Sequence, residues 1–105
     1  MEFRNVTVPA KANIYFEGRV VSHTVILGDG SRKTVGVILP GSYHFGTNQA
    51  ELMELIEGKA EVVIDGEETV RRHAVGESFK VPANSGFTIT VSDEPCQYIC
   101  SFLGE

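Results

Sequence analysis

The chain has 105 residues, which is enough for one domain with one modest hydrophobic core. Its formal net charge of −5 argues against a nucleic-acid partner, whose phosphates need a basic face, although one or two cations would suffice for a small anionic substrate. No apolar run approaches the roughly 20 residues that span a bilayer, and residues 1–11 lack a signal-peptide core, so we expect a cytoplasmic protein with no membrane partner.

The chain opens with residues 1–13, a polar segment that we interpret as an N-terminal arm, and the remaining residues 14–105 form the predicted domain. Short runs rich in Val, Ile, Phe, Tyr and Thr follow, separated by closely spaced turn residues such as Asp65-Gly66, which predicts a hairpin. The predicted strands are Ile14–His23, Lys33–Leu39, Gly41–Thr47, Glu51–Glu57, Ala60–Ile64, Glu68–His73, Ser78–Val81, Phe87–Val91 and Gln97–Leu103. Many short strands with little helix indicate an all-β sandwich, jelly roll or small barrel.

One segment, residues 48–57, permits two interpretations. It contains helix formers, but the flanking glycines leave it only about three helical turns. The competing strand would place Glu51, Met53 and Leu55 on one face. We predict a strand because strands surround it.

The two cysteines and three histidines do not form a recognisable metal motif. Cys96 and Cys100 have no histidine nearby, so we interpret them as small buried residues of the last strand and not as a zinc site or disulfide. The histidines share no motif, and strand alternation turns His44 outward. We therefore expect His23, His44 and His73 at the surface.

Two spacings resemble the paired sequence motifs of cupins, in which three histidines and a glutamate hold a metal inside a barrel. Six residues separate Glu51 from Gly58, and five residues separate Gly76 from Pro82. Such glycines and prolines close turns between strands. The resemblance implies a single-domain cupin, an all-β jelly-roll barrel.

The metal ligands of that motif are missing here. Phe45-Gly46-Thr47 stands where the cupin pattern has His-x-His, Phe87 stands in place of the last histidine, and Asn84 replaces a glycine. Since neither phenylalanine can bind a metal, we expect no metal site.

A closer resemblance covers about residues 14 to 103. The matching runs are Tyr15-Phe16-Glu17-Gly18-Arg19-Val20, Arg32-Lys33-Thr34-Val35-Gly36-Val37, Gly41-Ser42-Tyr43-His44-Phe45, Glu51-Leu52-Met53, Ile56-Glu57-Gly58, Gly76-Glu77-Ser78-Phe79-Lys80-Val81-Pro82, Ser85-Gly86-Phe87 and Tyr98-Ile99-Cys100. In order and spacing they resemble the small single-domain cupins known as pyrimidine/purine nucleoside phosphorylases. The resemblance implies phosphorolysis of diverse nucleosides to free base and ribose 1-phosphate, with inorganic phosphate as co-substrate, no metal or other cofactor, and a homodimer.

Strand alternation places Tyr43, Phe45 and Thr47 on one face, and the cupin frame turns that face, Glu51 and Phe87 into the barrel. Phe45 and Phe87 would then provide an aromatic slot for the base, because stacking tolerates every base. Alternatively, the two rings fill the space that the metal site left.

Two charged residues are the leading candidates for chemistry. Glu51 is the catalytic candidate, since an inward carboxylate without a metal needs a partner such as the ribose hydroxyls. Alternatively, Glu51 forms a structural salt bridge or lies at the solvent-exposed rim of the barrel. Arg32 is the phosphate-binding candidate, because guanidinium binds phosphate through a bidentate fork and the position matches the family pattern. Alternatively, Arg32 is an ordinary exposed turn residue.

Two further positions complete the set of predicted substrate contacts. Ser85, beside Asn84, would offer a hydroxyl at the mouth of the barrel, or it is an ordinary turn residue. Tyr98 is expected to point inward with Cys100 and Phe102, where its hydroxyl needs a partner. It is otherwise plain core.

Other functions remain compatible with the residues. A metal-free cupin that binds a small ligand without turnover would use the same pocket, and the absence of an obvious general acid or base favours it. A metal enzyme with displaced ligands would need His44 and Glu54, both expected to face outward.

Overall fold

A computed structural model describes residues 1–104. Those residues form ten strands and one short 3-10 turn. The strands are β1 (Asn13–Tyr15), β2 (Val20–Ile26), β3 (Arg32–Ile38), β4 (Gly41–Gly46), β5 (Glu51–Glu57), β6 (Ala60–Ile64), β7 (Arg71–His73), β8 (Ser78–Val81), β9 (Gly86–Val91) and β10 (Cys96–Phe102). The turn spans Phe16–Gly18, between β1 and β2.

The strands form two antiparallel sheets. One has the order β1-β2-β3-β10-β5-β8 and the other the order β4-β9-β6-β7. Their facing sides enclose one hydrophobic core. The predicted all-β cupin fold is therefore confirmed. None of the described residues belongs to a helix with the length and apolarity that a membrane crossing requires.

Alternation along the strands determines which side chains fill the core. In β6, Ala60, Val62 and Ile64 are buried, while the two residues between them are only partly buried. Val62 of this strand and Ile89 of β9 are 1% and 0% exposed. Truncating such a side chain to alanine costs about 2–5 kcal/mol of stability, so this inner layer supplies much of the folding free energy.

Strand bounds agree with the sequence prediction to within one residue in all but two of the nine predicted strands. The predicted strand Ile14–His23 is interrupted, because Phe16 and Glu17 have φ of 52° and 58°, which no extended strand can include. The predicted strand Glu68–His73 begins only at Arg71. Residues 51–57 form a strand, as expected, because this segment pairs with both β10 and β8.

The N-terminal segment lies along the edge of the six-stranded sheet. Thr7 and Ile26 exchange two backbone hydrogen bonds of 3.0 and 2.8 Å. The Asn13 side-chain amide donates to the hydroxyls of Ser22 and Thr24, both at 3.2 Å. Most of the predicted arm therefore precedes β1. The hydrogen bonds of Thr7 and Asn13 hold it against the edge of the six-stranded sheet.

The cysteines and two of the three histidines lie where we expected. Cys96 and Cys100 are buried and free; His23 and His44 are exposed. The surface prediction holds only in part for His73, which is partly buried because its ring stacks on Phe79 at 4.9 Å between centroids. Pairing of β7 with β6 places His73 opposite buried Ala60. The residues next to His73 in the sequence do not reveal this pairing.

Candidate functional site

A pocket of about 170 Å³ opens between the two sheets. The six-stranded sheet supplies hydroxyl, carboxyl and thiol groups and three aromatic rings to it, and the other sheet supplies two more aromatic rings. The main lining residues are Tyr15, Ser22, Thr34, Phe45, Glu51, Phe87, Tyr98, Cys100 and Phe102. Of the eight predicted site residues, this pocket brings together Glu51, Phe45, Phe87 and Tyr98.

Tyr98 is positioned by a row of residues across three neighbouring strands. Gly36 of β3 lies opposite both Ser22 of β2 and Tyr98 of β10. A Cβ atom on Gly36 would lie 2.8 Å from the Tyr98 hydroxyl oxygen, so the glycine creates the space that this hydroxyl occupies. Burial raises the pKa of Tyr98, and a hydrogen bond with Ser22 offsets part of that effect. The hydroxyl is therefore a neutral donor in the pocket wall.

Glu51 contributes the carboxyl group of the pocket. It is only partly buried, and its Oε1 accepts a hydrogen bond from the Cys100 thiol at 3.5 Å. Burial raises the pKa of Glu51, while the Cys100 bond lowers it. Burial, with the neighbouring Glu51 charge, raises the pKa of Cys100 to about 12, so the sulfur carries its proton and acts as the donor.

Arg32 is not part of the pocket lining, but it lies at the rim, against a residue that lines the pocket. Its guanidinium carbon is 5.5 Å from the ring centroid of Phe102, which lines the pocket and pairs with Glu51 across β10 and β5. The side chain is exposed, and no carboxylate within residues 1–104 forms an ion pair with it. The guanidinium is therefore free to bind an anion at the entrance.

The two predicted slot residues contact each other. Phe45 and Phe87 are direct cross-strand partners in β4 and β9, and their rings stack at 5.7 Å with an interplanar angle of 27°. Rings at this distance are in contact, which leaves no space for a base between them. Phe87 is only 2% exposed. The predicted slot is therefore closed, although Phe45 still presents aromatic surface to the pocket.

The structure places Tyr43, Thr47 and Ser85 outside the pocket lining. The Tyr43 hydroxyl donates to two backbone carbonyls of the preceding turn, at 2.8 and 3.1 Å. The Thr47 hydroxyl donates to the Pro82 carbonyl at 2.7 Å and accepts from the Ser85 backbone N–H at 3.0 Å. These polar groups are used to connect the ends of strands.

Sequence reasoning missed Tyr15, Ser22, Thr34 and Gly36. Ser22 and Thr34 lie far from the cupin motifs along the chain, and only the sheet order brings them to the pocket. Gly36 carried a usable signal, because an isolated glycine within the valine-rich run of β3 indicates a close approach to another group.

The residues at the cupin ligand positions do not fit a metal ion. Phe45 and Phe87 offer no donor atom, and the Thr47 hydroxyl already bonds to backbone groups. Of the motif's ligands only Glu51 is present. Within residues 1–104, His, Cys, Asp and Glu side chains nowhere form a group of three that could hold a metal ion.

A strained turn borders the pocket. Phe16 and Glu17 have left-handed φ values of 52° and 58°, a conformation that costs non-glycine residues on the order of 1–3 kcal/mol each. Packing compensates for this cost, since the Phe16 ring lies 5.0 Å from Tyr43 and 5.4 Å from Phe45. The turn thereby fixes Tyr15 at the pocket mouth, with its ring edge-on to Phe45 at 5.8 Å.

A second, larger depression of about 300 Å³ lies beside β6 and β7. It contains none of the predicted site residues, and two of its charged side chains, Arg72 and Glu61, are already paired at 2.9 Å. The smaller pocket is therefore the candidate site.

Known proteins match this chain along nearly its whole length. The family model described as pyrimidine/purine nucleoside phosphorylase matches residues 10–102. A protein of Wolinella succinogenes with that same name is 53% identical, over 97% of this chain and 96% of its own.

Solved structures have the same fold as this chain over most of its length. A protein of unknown function from Acinetobacter has a TM-score of 0.94 at 42% identity, covering 97% of this chain and 98% of its own. A protein of unknown function from Vibrio parahaemolyticus has a TM-score of 0.84 at 37% identity, covering 92% and 99%.

Proposed function

Because this chain belongs to the pyrimidine/purine nucleoside phosphorylase family, we propose that it converts purine and pyrimidine nucleosides and inorganic phosphate to free base and ribose 1-phosphate. The observation that carries the proposal is the full-length similarity to curated relatives of that name. The pocket supports it, because it combines a carboxyl group, several hydroxyls and exposed aromatic surface with a free cation at its rim.

The reaction balances without any other reactant. A phosphate oxygen forms a bond to C1′ as the bond between C1′ and the base nitrogen breaks, and the nitrogen keeps the bonding electron pair. The proton of hydrogen phosphate ends on that nitrogen. Positive charge builds on the ribose ring in the transition state, as in glycoside hydrolysis. The protein must therefore hold phosphate, orient ribose and stabilise that charge.

Arg32 is suited to the phosphate. It is exposed at the pocket rim, and its guanidinium lies over the Phe102 ring, which restricts its orientation. A guanidinium held in this way offers the bidentate donors that match phosphate oxygens. Phosphate would then enter beside Phe102, next to Glu51 in the pairing of β10 with β5.

Glu51 is suited to the ribose. Its carboxylate accepts hydrogen bonds from sugar hydroxyls and places negative charge near C1′, where the transition state is positive. Because the group is partly desolvated, this electrostatic stabilisation is stronger than it would be in water. The neighbouring Tyr98 hydroxyl gives the pocket a donor as well.

Broad specificity and metal independence are part of the same proposal. The described lining contains aromatic rings and hydroxyls but no Asn, Gln or Arg that would read one base edge. Glu51 alone remains of the cupin ligands, so charge stabilisation is assigned to Glu51 and Arg32.

We also propose a homodimer, as in the family resemblance. Val37, Leu39 and Ile56 point away from the core on the outer side of the six-stranded sheet and are 36%, 40% and 37% exposed. Such apolar surface is typical of an interface between protein chains. Sedimentation equilibrium of the native protein should give twice the 11.4 kDa chain mass.

The test is release of base from uridine and inosine, with and without phosphate, in the native protein and Glu51→Gln. Glu54→Gln is the matched control, because Glu54 lies on the outer face of the same strand. We expect ribose 1-phosphate to form only with phosphate present, and to fall by at least about a hundredfold in Glu51→Gln alone.

Two results would overturn the proposal. Release without phosphate would make the protein a hydrolase. No release from the native protein, combined with thermal stabilisation by nucleosides, would instead make it a binding module.

A further inference from the structure

The closed contact between Phe45 and Phe87 leaves the position of the base open. Their rings stack at 5.7 Å, and Phe87 is almost completely buried. A base must therefore stack on aromatic surface that remains accessible. Among the rings that line the pocket, Tyr15 is the most exposed, at 43%.

Tyr15 makes backbone and ring contacts despite this exposure. It ends β1, where it pairs with Val20, and its ring is edge-on to Phe45 at 5.8 Å. The next residue, Phe16, adopts a left-handed conformation and packs on Tyr43 and Phe45. Strained backbone that the surrounding structure holds in place is characteristic of binding sites.

From this arrangement we propose that Tyr15 is a specificity-determining residue: its ring, with the accessible side of Phe45, forms the platform on which the nucleoside base stacks. The strained turn Phe16–Gly18 positions that platform. The inference rests on the proposed function, because it names the base subsite of the same pocket.

The platform explains tolerance of both base classes. Two rings at about a right angle form an open corner, whereas a parallel pair forms a slot of fixed width. A corner accepts one or two fused rings, because it limits neither the width nor the hydrogen-bonding edge of the base. The larger purine overlaps more of the Tyr15 face than a pyrimidine does. Loss of the Tyr15 ring should therefore weaken the binding of purine nucleosides more than the binding of pyrimidine nucleosides.

The test measures KM for inosine and uridine, and Kd for both by calorimetry without phosphate, in native protein, Tyr15→Ala and Tyr15→Phe. Stacking on an aromatic side chain contributes about 1–3 kcal/mol per base, so Tyr15→Ala should raise KM and Kd for inosine roughly five- to a hundredfold. We expect a smaller rise for uridine and little change in kcat. Tyr15→Phe keeps the ring and should stay within about twofold of native.

Ile14→Ala is the matched control, because Ile14 lies in the same strand, is 66% exposed and does not line the pocket. Unchanged KM and Kd in Tyr15→Ala, with native phosphorolysis intact, would overturn the platform and leave the proposed function standing. Nucleoside binding that depends on Tyr15, without any release of base, would overturn the proposed function and leave the platform standing. Absence of both binding and release in native protein would overturn both.

Discussion

The Cys100 thiol donates a hydrogen bond to Glu51 Oε1 across 3.5 Å, from the strand that pairs with Glu51's own strand. The bond favours the ionised carboxylate and so lowers the pKa of Glu51. In Cys100→Ala this donor is lost, and we expect the acid limb of the kcat/KM profile to move to higher pH. A pH–rate profile measures the shift.

Two variants control for that experiment. Cys100→Ser retains a donor and should keep the limb closer to its native position. Cys96→Ala removes a thiol that lies outside the pocket, where its Sγ has the Gln97 carbonyl as a hydrogen-bond partner at 3.9 Å. An acid limb that does not move in Cys100→Ala would show that the thiol has no influence on Glu51.

Glu51 should also make stability depend on pH. Burial raises its pKa above the ordinary value of 4.5, so the folded protein binds this proton more tightly than the unfolded chain does. The carboxyl's contribution to stability therefore falls as pH rises from the unfolded pKa through the folded one. Glu51→Gln should melt above the native protein at neutral pH, and the difference should disappear in acid below pH 4. Calorimetry at several pH values tests this, and a lower Tm for Glu51→Gln at pH 7 would contradict it.

Gly36→Ala should disturb Tyr98 directly. The added methyl group would lie 2.8 Å from the Tyr98 hydroxyl, 2.8 Å from the Val21 carbonyl and 2.9 Å from the Ser22 Cβ, so these neighbours must shift. Overpacking of this kind costs about 1–3 kcal/mol, measurable as a lower urea midpoint. Gly28→Ala is the control, since nothing lies within 4 Å of its Cβ position. Equal stability of the two variants would rule out the close packing.

Thr47→Val should lower stability and leave substrate affinity intact. The substitution leaves the Pro82 carbonyl and the Ser85 N–H without their hydroxyl partner, at a cost of about 1–3 kcal/mol. Urea denaturation should show this loss, whereas Thr88→Val, on the outer side of β9, should stay near native. A large rise in KM for nucleoside would instead return Thr47 to the substrate site.

Arg32→Ala should raise KM for phosphate without a comparable change in KM for nucleoside. Hydrogen bonds to a charged group contribute about 1.5–3 kcal/mol, which corresponds to roughly ten- to a hundredfold in KM. Arg71→Ala, an exposed arginine of the other sheet, is the control. Equal effects of the two substitutions would mean that phosphate binds elsewhere.

Much of the fold was predictable because alternation and turn residues are local signals. Ala60–Ile64 alternates between buried and partly buried residues, and the Asp65-Gly66 turn follows it as expected, with Gly66 at φ 86°. The break at Phe16 was not predictable. A phenylalanine has no local preference for positive φ, and here its contacts with Tyr43 and Phe45, distant in sequence, hold that conformation.

The site was predictable only in part, for a related reason. Alternation shows that Glu51, Phe45, Phe87 and Tyr98 face inward, but not which inward residues share one end of the barrel. That depends on register. Phe45 and Phe87 are direct partners, so they contact each other and cannot accept a base between them.

Strand β10 lies between β3 and β5 at the middle of the six-stranded sheet, yet it comes after every other described strand in the chain. If the strands fold in the order of their synthesis, β3 and β5 each have an edge without a partner until β10 joins them. Tyr98, Cys100 and Phe102 arrive with it. The nascent chain must keep those two edges from pairing wrongly, and ligand binding can begin only after the last strand has joined them.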